Sequence, residues 1–141
     1  MKMTKLAMVL FAAGALAACS RGTTKITEVD PHTNPRVYFA FDSSAITEEA
    51  RTNLLGQSMF LQNNPNVRVT IEGHCDERGT AEYNMALGAR RAEAAKNVMV
   101  RDGVDARRIR TVSYGKERPQ KLGTGEAIWK WNRNAKTVVR N

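Results

Sequence analysis

Between Gly73 and Gly79 the chain sets His74, Cys75, Asp76, Glu77 and Arg78 side by side. They are polar or reactive in a row, and His74, Cys75 and Asp76 are of the types that ligate a metal. A metal site fails on geometry. Consecutive residues of an extended segment point to opposite sides, so His74, Cys75 and Asp76 do not converge on one ion. His32 is the one other histidine, and no nucleophile and base stand in a credible arrangement. Further on, Arg90 and Arg91 are adjacent but not equivalent. On a helix Arg90 shares a stripe with Ala86, Glu93 and Asn97, a polar face, whereas Arg91 shares one with Leu87, Ala94 and Val98, which faces the core. A guanidinium on an apolar stripe is expensive unless a carboxylate or an anion meets it. The spacing leaves two readings open for Arg91: a structural ion pair, with Asp76 as the partner, or an anion-binding group at the edge of the core.

Cys19 is reactive in a different way. Lys2 and Lys5, an apolar run from Leu6 to Leu16, and Ala17-Ala18 precede it. This is the layout of a bacterial secretory signal over residues 1–18, and Leu16-Ala17-Ala18-Cys19 is similar to a lipobox. The pattern implies that Cys19 is acylated and becomes the first residue of the mature chain, a transfer that needs a thiolate nucleophile. The run is shorter than the roughly 20 residues that span a bilayer. Each buried methylene of an acyl chain contributes about 0.8 kcal/mol, so lipid on Cys19 would hold the chain on a membrane. Ser20, where an Asp would imply the inner membrane, implies the outer one, with the folded part in the periplasm. No cofactor is called for beyond that covalent lipid. Cys75 is the only other cysteine, so no internal disulfide is available once Cys19 is lipidated. Removing Lys2 and Lys5 lowers the net charge from +8 to +6. A basic chain raises nucleic acid as a partner, but no recognition motif accompanies the charge. An anionic wall polymer or lipid surface fits an exported protein better.

Positioning these groups falls to one domain, residues 37–141. Residues 19–36 are polar, contain Pro31 and Pro35 and show no period, so they are assigned as a lipidated N-terminus and flexible tether. Val37 to Phe41 has strand composition, broken by Asp42-Ser43-Ser44. Thr47 caps a helix opened by Glu48 and Glu49, with Ala50, Leu54, Ser58 and Leu61 on one stripe. Val67, Val69 and Ile71 alternate with Arg68, Thr70 and Glu72, which predicts a half-buried strand. Gly73 to Gly79 follows as a loop. Thr80 caps a second helix that runs to about Arg101 and is closed by Gly103. Ile109 to Tyr114 is a third strand, Glu126 to about Asn132 a short helix, and Ala135 to Arg140 a last strand. The order β-α-β-α-β-α-β predicts an α/β two-layer sandwich with the helices on one face of a four-stranded sheet. Trp129 and Trp131 are two apart on the short helix, so one faces the sheet and the other is either exposed or an interaction anchor.

The run Gly73-His74-Cys75-Asp76-Glu77-Arg78-Gly79-Thr80-Ala81-Glu82-Tyr83-Asn84, with Leu87 and Arg90-Arg91-Ala92, resembles the peptidoglycan-binding motif of the OmpA-like family. The Asp76 to Gly79 wording is similar to its peptidoglycan-associated lipoprotein branch. Val37 to Asp42, Val112 to Pro119 and Asn132-Arg133 add matches in the right order, behind a lipobox. The resemblance implies a mixed sheet like that of the OmpA C-terminal domain, and no enzyme. It implies non-covalent binding of the diaminopimelate in the peptide stem of the cell wall. The side chain of that residue ends in an ammonium and a carboxylate, which call for an acid and a planar bidentate cation at fixed separation. Asp76 would take the ammonium and Arg91 the carboxylate. Phe41 and Asp42 would border the pocket and Leu87 would wall it. Thr80, with the first N–H groups of its helix, would meet a second carboxylate. Asn84 would brace the loop, and Arg133 would serve binding or sheet packing. The family also implies partners, TolB and the other Tol–Pal components, in a system that ties the outer membrane to the wall and supports envelope integrity and cell division. The alternative is a cell-wall hydrolase or metal-dependent amidase built on His74, Cys75 and Asp76. Three residues depart from the family pattern: Cys75 replaces a small polar residue and reads as packing, Asn134 replaces a second arginine, and Lys136 stands in an otherwise apolar strand, which is expected to loosen it.

Overall fold

The computed structural model describes residues 25–141. Cys19, Ser20 and the signal assigned to residues 1–18 lie outside the described residues. The elements run β1 (Arg36–Tyr38), α1 (Glu48–Asn63), β2 (Arg68–His74), α2 (Ala81–Arg101), β3 (Ile109–Gly115), α3 (Glu126–Asn132) and β4 (Asn134–Arg140), with a 3-10 turn at Ala106–Arg108 ahead of β3. The alternating order is the one the sequence predicts. The strands form one mixed sheet, ordered β1-β4-β2-β3. β2 and β3 are parallel, joined through α2, and β4 runs antiparallel to both β1 and β2.

Both long helices begin where their capping residues place them. Thr47 Oγ1 accepts a hydrogen bond from the Ala50 N–H at 3.1 Å, and Thr80 Oγ1 accepts one from Tyr83 at 3.1 Å. Each satisfies one of the N–H groups that a helix start leaves without a partner. The predicted stripe of α1 (Ala50, Leu54, Ser58 and Leu61) is buried, and so is the Leu87, Arg91 line of α2. These helices cover the inner sheet face, where Val69, Ile71, Ala92, Ala95, Met99, Ile109 and Ala135 form the core.

The structure departs from the sequence reading in four places. β1 ends at Tyr38, yet Phe39 still donates its N–H to the Arg133 carbonyl at 2.9 Å and stays in the core. β2 runs on through Gly73 and His74. Gly73 faces Gly88 of α2, and a Cβ built on Gly73 would stand 1.7 Å from the Gly88 carbonyl oxygen. Two facing glycines thus let α2 approach β2 backbone to backbone. The chain also lies against α1 ahead of Val37. Val29 donates its N–H to Gly56 at 2.9 Å, and the Pro35 carbonyl accepts from Thr137 at 2.8 Å. Finally, β4 is no loosened edge. It sits between β1 and β2, with Ala135 and Thr137 inward and Lys136 on the helix-free face, paired in register with Arg36 and Glu72.

Candidate functional site

The C-terminal end of β2, the start of α2 and the turn after β1 enclose a cavity of about 180 Å³. Phe41, Asp42, Asp76, Asn84, Leu87 and Arg91 line it, together with Cys75, Arg78, Gly79 and Tyr83. Six of the residues singled out from sequence are therefore brought together. Thr80 and Arg133 are not among the lining residues.

Asp76 is 4% exposed and heavily engaged. Its Oδ1 accepts from the Arg78 N–H at 3.1 Å and from Arg78 Nε at 3.2 Å, while Oδ2 accepts from Arg78 Nη2 at 2.8 Å. Arg133 Nη1 approaches Oδ2 at 3.5 Å. Burial alone would raise the Asp76 carboxyl, but the hydrogen bonds and charge of Arg78, with Arg133 behind it, outweigh burial and hold it below the usual carboxylate range. The acid is thus ionised and already carries a cation. The Arg78 guanidinium is itself stacked on aromatic rings, 3.8 Å from the centroid of Phe41 and 4.1 Å from that of Trp129.

Arg91 is 1% exposed and does not pair with Asp76, so one of the two readings left open for it is corrected. Its Nε donates to the Ser43 carbonyl at 2.9 Å, Nη1 to that of His74 at 2.8 Å and Nη2 to that of Ala40 at 3.1 Å. Three carbonyls satisfy three of its five N–H donors without neutralising it. Burial lowers its pKa, with the negative charge of Asp76 opposing. The positive charge stands at the pocket wall and ties the β1–α1 turn to the end of β2.

The remaining groups frame these two. Asn84 Nδ2 donates to the Arg78 carbonyl at 2.7 Å and to that of Thr80 at 3.1 Å, bracing the loop. Asp42 adopts positive φ, 51°, and accepts a hydrogen bond from the Tyr83 hydroxyl. Phe41 is 58% exposed at the rim. Thr80 has its hydroxyl on the helix cap, and Arg133 is bound to the Phe39 carbonyl at 2.9 Å and to Glu126 at 2.6 Å. Cys75 Sγ donates to the Asn84 carbonyl at 3.3 Å, and burial raises its pKa, so it stands in the wall as a thiol. Both tryptophans are half-buried, which the spacing argument did not foresee. Trp129 Nε1 donates to Glu77 at 2.8 Å, and Trp131 meets Tyr38 edge-on at 5.6 Å. His74 points to the other face of the sheet, away from Asp76. Among the described residues, no group of three or more His, Cys, Asp and Glu is placed to hold a metal.

Arg78 and Tyr83 are the site residues the sequence reading missed. A signal existed for Arg78: Asp with a cation two residues on forms a local turn, seen again where Asp105 accepts from the Arg107 N–H at 2.9 Å.

The OmpA family model matches residues 38–128. The chain belongs to the OmpA family. Within it, the chain is 48% identical over 104 residues to a peptidoglycan-associated lipoprotein of Rhizobium meliloti, covering 74% of this chain and 59% of that relative. The chain therefore spans less than two thirds of that protein's length. A peptidoglycan-associated lipoprotein of Haemophilus influenzae is 44% identical over 124 residues, covering 88% of this chain and 80% of the relative. The crystal structure of the Burkholderia pseudomallei peptidoglycan-associated lipoprotein superposes with a TM-score of 0.75 at 40% identity, covering 78% of this chain and 93% of that one. The C-terminal domain of Helicobacter pylori MotB shares the fold at 18% identity, with a TM-score of 0.70 over 75% of this chain and 84% of that one. The mixed sheet with its three helices is thus that of OmpA-family domains.

Proposed function

We propose that this chain is an outer-membrane lipoprotein, anchored through Cys19, whose folded part binds peptidoglycan without covalent chemistry and tethers the membrane to the wall. The ligand is the diaminopimelate of the peptide stem. The observation that supports this reading is the placing of one buried acid, Asp76, and one buried cation, Arg91, in the wall of the same cavity, which Leu87 also lines. A zwitterionic side-chain end matches that pair, its ammonium toward Asp76 and its carboxylate toward Arg91. Because Arg78 holds Asp76, the ligand ammonium exchanges with the Arg78 guanidinium, which stays stacked on Phe41 and Trp129. Asp42 and Tyr83 close the rim. The same face is proposed to meet TolB, so that wall and TolB alternate within a Tol–Pal system serving envelope integrity and division.

The test is co-sedimentation of the full-length protein, in detergent, with purified peptidoglycan. Asp76→Ala and Arg91→Lys are expected to lose most retention, at least about tenfold, the scale of one charge-assisted contact. Arg91→Lys is preferred to the alanine variant because a lysine keeps the charge and some bonding to the three carbonyls. Retention of both variants at the parent level would remove the assigned site. In cells, Cys19→Ser is expected to leave the outer-membrane fraction; if it stays there, the anchor is elsewhere.

A further inference from the structure

The helix-free face of the sheet holds a second cavity, of about 260 Å³, that the site above does not use. Residues of β1, β2, β4 and the β3–α3 connection line it, and no helix residue does. Strand alternation explains its position. Val69 and Ile71 face the core, so Glu72 and His74 face the other way. Arg36, Lys136 and Glu72 are register neighbours across β1, β4 and β2. Arg118 comes in from the connection, its guanidinium 3.8 Å from the centroid of the Tyr114 ring. Arg36, Lys136 and Arg118 therefore share the lining of this cavity with a single carboxylate, that of Glu72.

Buried polar groups without partners make up the floor. His74 is 6% exposed, and neither ring nitrogen has a partner at hydrogen-bond geometry. The Glu72 carboxylate is 3.6 Å from its Nε2, and the Arg118 backbone lies nearby. Asn134 is 1% exposed; its Nδ2 donates to the Trp131 carbonyl at 2.8 Å, but its Oδ1 accepts from nothing, and Arg36 Nε is equally alone. One unsatisfied buried polar group costs about 1–3 kcal/mol, and native proteins keep few. Burial lowers the His74 pKa against the pull of Glu72, so near neutral pH the ring offers one donor and one acceptor. Water would satisfy the hydrogen bonds but not the excess positive charge of the walls.

We propose that this cavity is a binding site for a small oxyanion-bearing group, a carboxylate or a phosphate, held by Arg36, Lys136 and Arg118 over His74 and Asn134. Glu72 and the free Asn134 Oδ1 select a group that carries a donor, such as a hydroxyl, next to its anionic oxygens. A wall carboxylate and a lipid headgroup phosphate share that chemistry.

The full-length protein in detergent tests it by titration with inorganic phosphate and, separately, with lactate, at constant ionic strength. Ring-proton NMR is the readout, because the chain has 2 histidines and His32 serves as the internal control. A saturable shift of His74 alone is expected. A response to phosphate only assigns a phosphate source, and a response to lactate only assigns a carboxylate source. The exposed-side variant Lys136→Gln/Arg118→Gln is expected to weaken the response at least about tenfold. No saturable shift with either anion, or a shift that survives the double variant, overturns the proposal.

Discussion

At the scale of single residues, the site rests on which charges are already matched. Asp76 looks from sequence like a free acid waiting for a ligand, but Arg78 folds back on it through the same local turn that Asp105 and Arg107 form at the surface. Arg91 looks like half of an ion pair, but backbone carbonyls meet it instead. The first outcome has a local signal, a cation two residues after an Asp; the second has none, because the Ala40 and Ser43 carbonyls come from a turn about fifty residues away in sequence. The Asp76 arrangement has a pH signature. Its folded-state pKa is depressed, so its contribution to stability is complete above the unfolded value and is lost as pH falls through the folded one. With an unfolded value near 4, the parent is expected to lose melting temperature below about pH 4 more steeply than Asp76→Asn, and the two curves to converge in acid. Thermal melts across roughly pH 2 to 7 check this; parallel curves would mean that Asp76 is not held ionised by its neighbours.

At the scale of elements, the long helices were legible because their signals are local. Thr47 and Thr80 mark the starts of α1 and α2, and the apolar stripes give their buried faces. Strand content was legible for the same reason. Sheet order was not. Nothing near Lys136 tells that β4 lies between β1 and β2, so a lysine that looks disruptive in an apolar strand proves to be an ordinary occupant of a wet face. The meeting of Gly73 with Gly88 was equally hidden, since each alone reads as a loop or a weak helix position. This contact sets how closely α2, and with it Arg91 and Leu87, stands to the end of β2. Gly73→Ala places a methyl on a backbone oxygen that cannot swing aside. It is expected to destabilise the fold by at least about 3 kcal/mol, the upper part of the overpacking range, measured by urea unfolding. An unchanged midpoint would show that the helix is free to shift.

At the scale of the whole molecule, the sheet separates two charged surfaces. The helix side holds the cavity of Asp76 and Arg91, and the open side holds a basic face centred on Arg36, Lys136 and Arg118. The net charge of +8 announced a basic protein but not where the charge sits. The sharpest measurement is calorimetric titration of the full-length protein with two stem peptides that differ only in their third residue, diaminopimelate in one and lysine in the other. Both present an ammonium to Asp76, and only the first presents a carboxylate to Arg91. The account predicts that the diaminopimelate peptide binds at least about tenfold more tightly, the scale of one charge-assisted contact, and that Arg91→Lys narrows the difference. Equal affinity for the two peptides would contradict it.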